Sequence, residues 1–244
     1  MINLSAIGHE FRRILFSRKY FYMLLLVGLS THGTLSGHIM GGVYGTSPFS
    51  RLSYAKFLTM SNPLLLLSLA FLCTAVFSEK EIAARKILFS TPISPVEYFA
   101  IKGAAIACAY LLLAALLMLY SFAFYGWHFR FFHYTEFIHP MLVFLLSPAI
   151  FVFGLSMVAG KFSGKLLYGL LPVLFLFGAF NMGLPVWADL CGNNFLINYS
   201  KMILQTFGNQ DMVYHVPRAF LLSRLLMALT GIALFAVACR KIKC

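Results

Sequence analysis

His128, His133, Glu136 and His139 carry the nitrogen and oxygen donors that zinc takes. Their spacings of 5, 3 and 3 do not set all four on one helix face, and Trp127, Phe129, Phe131, Phe132 and Tyr134 run among them. That mixture suits an interfacial aromatic belt, and no metal is expected. Phosphate chemistry needs GxxxxGK[ST], whose backbone amides cradle the anion. The nearest stretch here, 154–162, separates its glycines by five residues and ends in Phe162. A nucleotide site is therefore not expected. The densest charge cluster is Glu79, Lys80, Glu81, Arg85 and Lys86. Glu81 and Arg85 are four apart and can pair on one helix face. Cys73, Cys108, Cys191, Cys239 and Cys244 form no CxxC and read as small apolar fillers.

The elements that hold these residues are set by composition. Of 244 residues, 61% are hydrophobic and 11% charged, with a net charge of +12, and mean hydropathy is +0.85. A soluble domain carries about 25% charged residues, so surplus apolar surface here must meet lipid. This excludes a soluble enzyme, a disordered chain and a nucleic-acid module; the basic residues end apolar runs, where anionic lipid headgroups are the expected partner.

Runs of about 20 apolar residues are needed to cross a bilayer. Six are expected, over 20–39, 57–77, 99–125, 141–159, 166–188 and 219–239. Before them, Leu4, Ile7, Phe11 and Ile14 recur at helical spacing, which predicts an interfacial amphipathic helix over 1–19. With six spans both termini share a side; that side holds thirteen of the nineteen Lys and Arg residues. The termini are therefore expected to be cytoplasmic. Every Asp and Glu falls in a loop or at a span end, and Arg224, near the outer end of the last span, is expected to snorkel. Without an ionisable group at membrane depth, ion-coupled transport has no basis in this chain.

Between the second and third spans, 78–98 reads as a short charged helix. Pro92 ends it near Ser90 or Thr91. Ser94 then caps a second helix, with Pro95 at its first position and Glu97 in its first turn. In the outer loop 189–218, Phe195, Leu196, Ile197 and Phe207 predict short helices dipping back into the membrane. Asn181, Gly183 and Pro185 break the end of the fifth span, and broken helices line cavities because their freed backbone groups need partners. Asn181, Gly183, Pro185, Phe195 and Phe207 are thus candidates for a pathway or gate. Gly37-x3-Gly41 is a candidate for close helix contact between subunits, or equally a flexible turn.

The pattern Glu79-x-Glu81-x3-Arg85-x4-Ser90-Thr91-Pro92-Ile93-Ser94-x2-Glu97-Tyr98-x3-Lys102 resembles the cytoplasmic loop of ABC-2 type permeases, the membrane subunits of ATP-binding-cassette transporters. His9-Glu10-Phe11-Arg12-Arg13-Ile14-Leu15 is similar to that family's connector helix. The chain departs from the family where Ile87-Leu88-Phe89 stands in place of a Gly-Thr-Leu-Glu stretch. The resemblance implies an all-α, six-span ABC-2 permease fold, a single transmembrane domain over 1–244, with 78–98 as coupling helix and 189–218 as an external hairpin. It implies that Glu79, Glu81, Arg85, Lys86, Thr91, Pro92, Ser94 and Glu97 meet a separate ATPase subunit that holds ATP and Mg. A second permease subunit, identical or different, is expected to complete the path in a prokaryotic plasma membrane. The expected cargo is an amphipathic peptide, lipid or drug-like compound, and the expected direction is export.

Two rivals come from other classes. Membrane-embedded CAAX-type proteases carry EExxxR, FxxxH and HxxxN; this chain has Lys80-Glu81-x3-Arg85 and Phe124-x3-His128, lacks the first glutamate and lacks HxxxN. A membrane anchor that binds an ATPase without transporting anything fits the same loop.

Overall fold

The computed structural model describes residues 4–89, 94–180, 183–185, 187–207, 214 and 216–240, with the side chains of Lys86 and of 202–207 excepted. Among them there are helices and no strands. The helices are α1 (Leu4–Leu15), α2 (Arg18–Thr34), α3 (Arg51–Thr74), α4 (Glu79–Leu88), α5 (Pro95–Phe129), α6 (Ile138–Met141), α7 (Ser147–Phe162), α8 (Gly164–Ala179), α9 (Asn193–Phe207) and α10 (Arg218–Cys239).

Four helical stretches are long and apolar enough to cross a bilayer: Arg51–Phe77, Pro95–Phe129, Tyr134–Phe162 and Arg218–Cys239. By that measure the chain is a multi-pass helical membrane protein. The expected first span is helical from Arg18 through a π-turn ending at Ile39, but Thr31, His32, Ser36 and His38 make it more polar. The expected fifth span, 166–188, differs more. Its helix ends at Ala179, because Phe180 turns extended and Gly183 takes a left-handed φ of +64° before Pro185. The third span is longer than expected at 35 residues, and Ser94 caps it as its sequence predicts, accepting from Glu97 N at 3.2 Å.

α3 is the buried centre, with Tyr54, Phe57, Leu58, Leu65 and Leu66 fully enclosed. Its Asn62 has a definite task. Pro148 in α7 has no N–H, so the Phe144 carbonyl four residues earlier loses its helical donor. Asn62 Nδ2 supplies one instead, at 2.7 Å, and the helix passes through a π-turn at Leu142–Leu146. Lys161, at the end of α7, donates to the carbonyls of Ala238 and Arg240 and so caps the end of α10.

α7 and α10 touch backbone to backbone. A Cβ on Gly154 would sit 2.1 Å from the Gly231 carbonyl oxygen. Gly154→Val must therefore push the two helices apart, an overpacking cost of about 1–3 kcal/mol. Thermal unfolding in detergent should show a lower midpoint for this variant and no change for Gly169→Ala, whose Cβ would meet nothing within 4 Å. Gly37 and Gly41 differ from this pair: nothing lies within 4 Å of a Cβ at either, so neither packs against another described helix of this chain.

Candidate functional site

The charged segment after α3 folds as a ten-residue helix, α4. Ser78 leaves the helical region at ψ 152° and starts it, and Glu79 and Glu81 occupy its first turn, where the helix dipole favours negative charge. Successive turns then point Glu81 and Arg85 the same way, into the protein rather than to solvent.

Glu81 and Arg85 do not pair with each other. Glu81 is 9% exposed. Its Oε1 accepts from the Tyr98 hydroxyl at 2.9 Å and from Lys102 Nζ, both on α5. Its Oε2 lies 3.4 Å from Arg13 on α1. Lys102 Nζ also reaches Glu10 Oε2 at 2.9 Å, and Arg13 closes the ring onto the same oxygen at 2.8 Å. Two carboxylates and two cations from three helices thus balance in one knot. Arg85, one turn on, donates to the Val76 carbonyl at 2.7 Å, at the end of α3. Its guanidinium lies 5.6, 5.2 and 5.0 Å from the ring centres of Phe77, Tyr98 and Phe99, a cation–π box.

The inward face of α4 is therefore tied to α1, α3 and α5. Its outward face presents Glu79, Lys80, Ala83, Ala84 and Ile87, all exposed or half-buried. Lys86 sits in α4, but its side chain is outside the described residues, as are Thr91 and Pro92 altogether. Ser94 and Glu97 form the cap of α5 already described, and Ser94 meets the knot only through the Tyr98 amide, which donates to its carbonyl at 3.0 Å.

Burial alone would raise the Glu81 carboxyl, yet Lys102, Tyr98 and Arg13 overcome it and hold the group below its ordinary value of 4.5. A carboxyl lowered on folding stabilises the fold above its unfolded value, and that contribution fades as pH falls through the lowered one. The α1–α4–α5 junction should accordingly loosen below about pH 4.5. Hydrogen exchange of α1 and α4 amides across pH 3 to 7, corrected for intrinsic rates, should show protection lost on the acid side and retained above it in the wild type, and no such step in Glu81→Gln.

Glu10, Arg13, Tyr98 and Lys102 carry no site role in the sequence reading, yet they complete the knot. Signals for two of them exist. Glu10 borders the apolar stripe of α1, and Lys102 is a lone cation in the first turns of an apolar helix, a position that calls for a partner.

A second cluster forms around Asp189, in the turn that leads into α9. Its carboxylate accepts from Gly192 N at 2.9 Å and Phe195 N at 2.8 Å, starting α9. Arg224 does not snorkel. It is 2% exposed, donates to the Asp189 and Leu190 carbonyls at 2.6 and 2.8 Å, and lies over the Phe220 ring. The turn before α9 offers it main-chain acceptors within hydrogen-bond reach. Asn193 Nδ2 donates to the Gly178 carbonyl at 2.8 Å, and Asn194 Oδ1 accepts from Gly183 N. One helix, α9, stands where several short ones were expected.

The pathway candidates therefore fare differently. Gly183 joins this turn, and Pro185 accepts from the Ala188 and Asp189 amides. Phe195 is buried and stacked on Phe220 at 4.0 Å. Asn181 lies outside the described residues, and Phe207 ends α9 with its side chain outside them.

The histidine-rich segment disperses. His128 stacks on Phe124 at 4.1 Å and Glu136 pairs with Arg51 at 3.5 Å. Among the described residues no three His, Cys, Asp or Glu side chains gather. The protease-like fragments are also apart: Tyr98, beside Glu81, and His128 are thirty residues apart on one continuous run of α5, about 45 Å. Glu81 and His128 cannot share a reaction centre. No family model, curated protein or solved structure matches the chain.

Proposed function

We propose that this chain is the permease subunit of an ATP-driven transporter of the ABC-2 type, with α4 as its coupling helix. The observation that carries the reading is the asymmetry of α4. Its inward face is fixed to three other helices through Glu81 and Arg85, while its outward face carries small and charged residues suited to a protein cleft. A push on such a helix moves α1 and α5 with it, because the knot resists shear. The residues that meet the ATPase are then Glu79, Lys80, Ala83, Ala84 and Ile87, and Glu81 and Arg85 act one layer behind them.

In this reading the membrane is crossed six times. The helical run 18–39 is 22 residues, about 33 Å, and spans the roughly 30 Å core. α8, at 16 residues, covers about 24 Å, and the turn that Asn193 ties to Gly178 closes the remainder as an external hairpin. Both termini and α4 are cytoplasmic, in a prokaryotic plasma membrane. Two such subunits enclose the path for an exported amphipathic cargo, and ATP and Mg sit on the partner ATPases.

Isolation of the tagged chain from its native membrane tests this. A P-loop ATPase should come with it and be lost with Ala84→Arg, which alters only the outward face. Recovery of the chain without any ATP-hydrolysing subunit would refute the proposal. Recovery with one, but without ATP-dependent cargo movement in vesicles, would reduce the chain to an anchor.

A further inference from the structure

Two cavities lie end to end between α2, α3 and α8. The first, about 550 Å³, has Lys19 at its rim and Phe71, Leu171 and Pro172 in its wall. The second, about 500 Å³, ends at Lys56 with Ser30, Thr59 and Asn193. Leu26, Leu64 and Phe175 border both, so the two form one groove. It opens sideways, since Leu26, Pro172 and Phe175 are exposed. From Phe71 to Lys56 is fifteen residues of α3, about 22 Å. The groove is thus apolar over its first half, more polar at Ser30, Thr59 and Asn193, and has a cation at each end.

Neither Lys19 nor Lys56 has an ion-pair partner among the described residues. Lys19 rests over the Phe71 ring at 5.7 Å, and Lys56 donates to Asn193 Oδ1 at 3.4 Å. Asp189 acts on Lys56 only at longer range, its oxygens being taken by the Gly192 and Phe195 amides.

We infer that this groove binds an anionic phospholipid drawn from the surrounding bilayer, with one acyl chain along Leu26, Leu64 and Phe175 and its phosphate on Lys19. An acyl chain reaches about half of the ~30 Å hydrocarbon core, which fits within the ~22 Å of the groove. The apolar wall accepts any chain; the Lys19 ammonium selects the negative headgroup. This binding does not depend on coupling to an ATPase.

Tryptophan quenching by brominated lipid tests it. With Trp127 and Trp187 changed to Phe, a reporter is placed in the groove as Leu171→Trp, and a reference on the lipid-facing side of α5 as Leu116→Trp. The protein is reconstituted in equimolar phosphatidylglycerol and phosphatidylcholine, one of them brominated in turn. The groove reporter should prefer phosphatidylglycerol roughly 5- to 10-fold over the reference. Lys19→Gln should bring that preference close to one. Leu67→Trp, on the same wall, repeats the measurement should the first reporter fail to fold. Equal quenching by both lipids, a preference that survives Lys19→Gln, or a groove reporter that neither lipid reaches because a second copy covers it would each overturn the inference.

Discussion

Lys102→Met is expected to destabilise the protein by about 3–5 kcal/mol, the cost of removing one partner from a buried ion pair. Lys102 is 8% exposed and touches both Glu10 and Glu81. Without it the two carboxylates face each other across Arg13 alone. For a chain of this size, that cost lowers the unfolding midpoint by on the order of 10 °C. Two further measurements separate lost charge balance from lost packing. Adding Glu81→Gln to Lys102→Met should recover part of the loss, because the orphaned charge goes with it. The deficit should also shrink as pH falls through the lowered value of Glu81, where the wild-type carboxylate too takes up a proton. A double variant no better than the single would assign the whole effect to packing of the lysine stem.

Arg224→Met should release the turn before α9. Arg224 supplies charged donors to two buried carbonyls, Asp189 and Leu190, and the variant leaves both without them. Each such loss costs about 1–3 kcal/mol, so roughly 3 kcal/mol is expected locally. In hydrogen exchange that corresponds to roughly 100-fold faster exchange of amides in 189–196. The Gly192 and Phe195 amides, which donate to the Asp189 carboxylate, report it most directly. Exchange in α4, which Arg224 does not touch, should stay unchanged. Arg224→Lys should restore only part of the protection, since an ammonium cannot reproduce the paired geometry of the guanidinium.

Much of the helical plan is legible in the sequence because it follows from local rules. Ser94-Pro95 with Glu97 reads as a cap and forms one. The 3.6-residue stripe of Leu4, Ile7, Phe11 and Ile14 becomes α1. Apolar length alone gives the long helices. The misreadings come from tertiary partners. Glu81 and Arg85 look like an i,i+4 surface pair, but α1 and α5 supply better partners, so both turn inward. Arg224 looks like a residue that reaches for water, but the turn at Asp189 presents carbonyls closer by. α8 ends at Ala179, well short of the expected 188, because apolar residues continue past the point where Gly183 and Pro185 stop a helix. Asn62 carries no pattern at all; its role exists only because Pro148 frees a carbonyl on another helix.

Glu81 and Arg85 thus tie α4 to the rest of the molecule, and in the proposed transporter Ala83, Ala84 and Ile87 are the surface that a motor subunit touches. That division of labour requires α4 to face the compartment where ATP is. Ala84→Cys, labelled with a membrane-impermeant maleimide and compared with the parent chain, decides the point. The account predicts no added label on intact cells and full labelling once the membrane is opened. Added label on intact cells carrying Ala84→Cys would place α4 outside, beyond the reach of any ATPase, and contradict it.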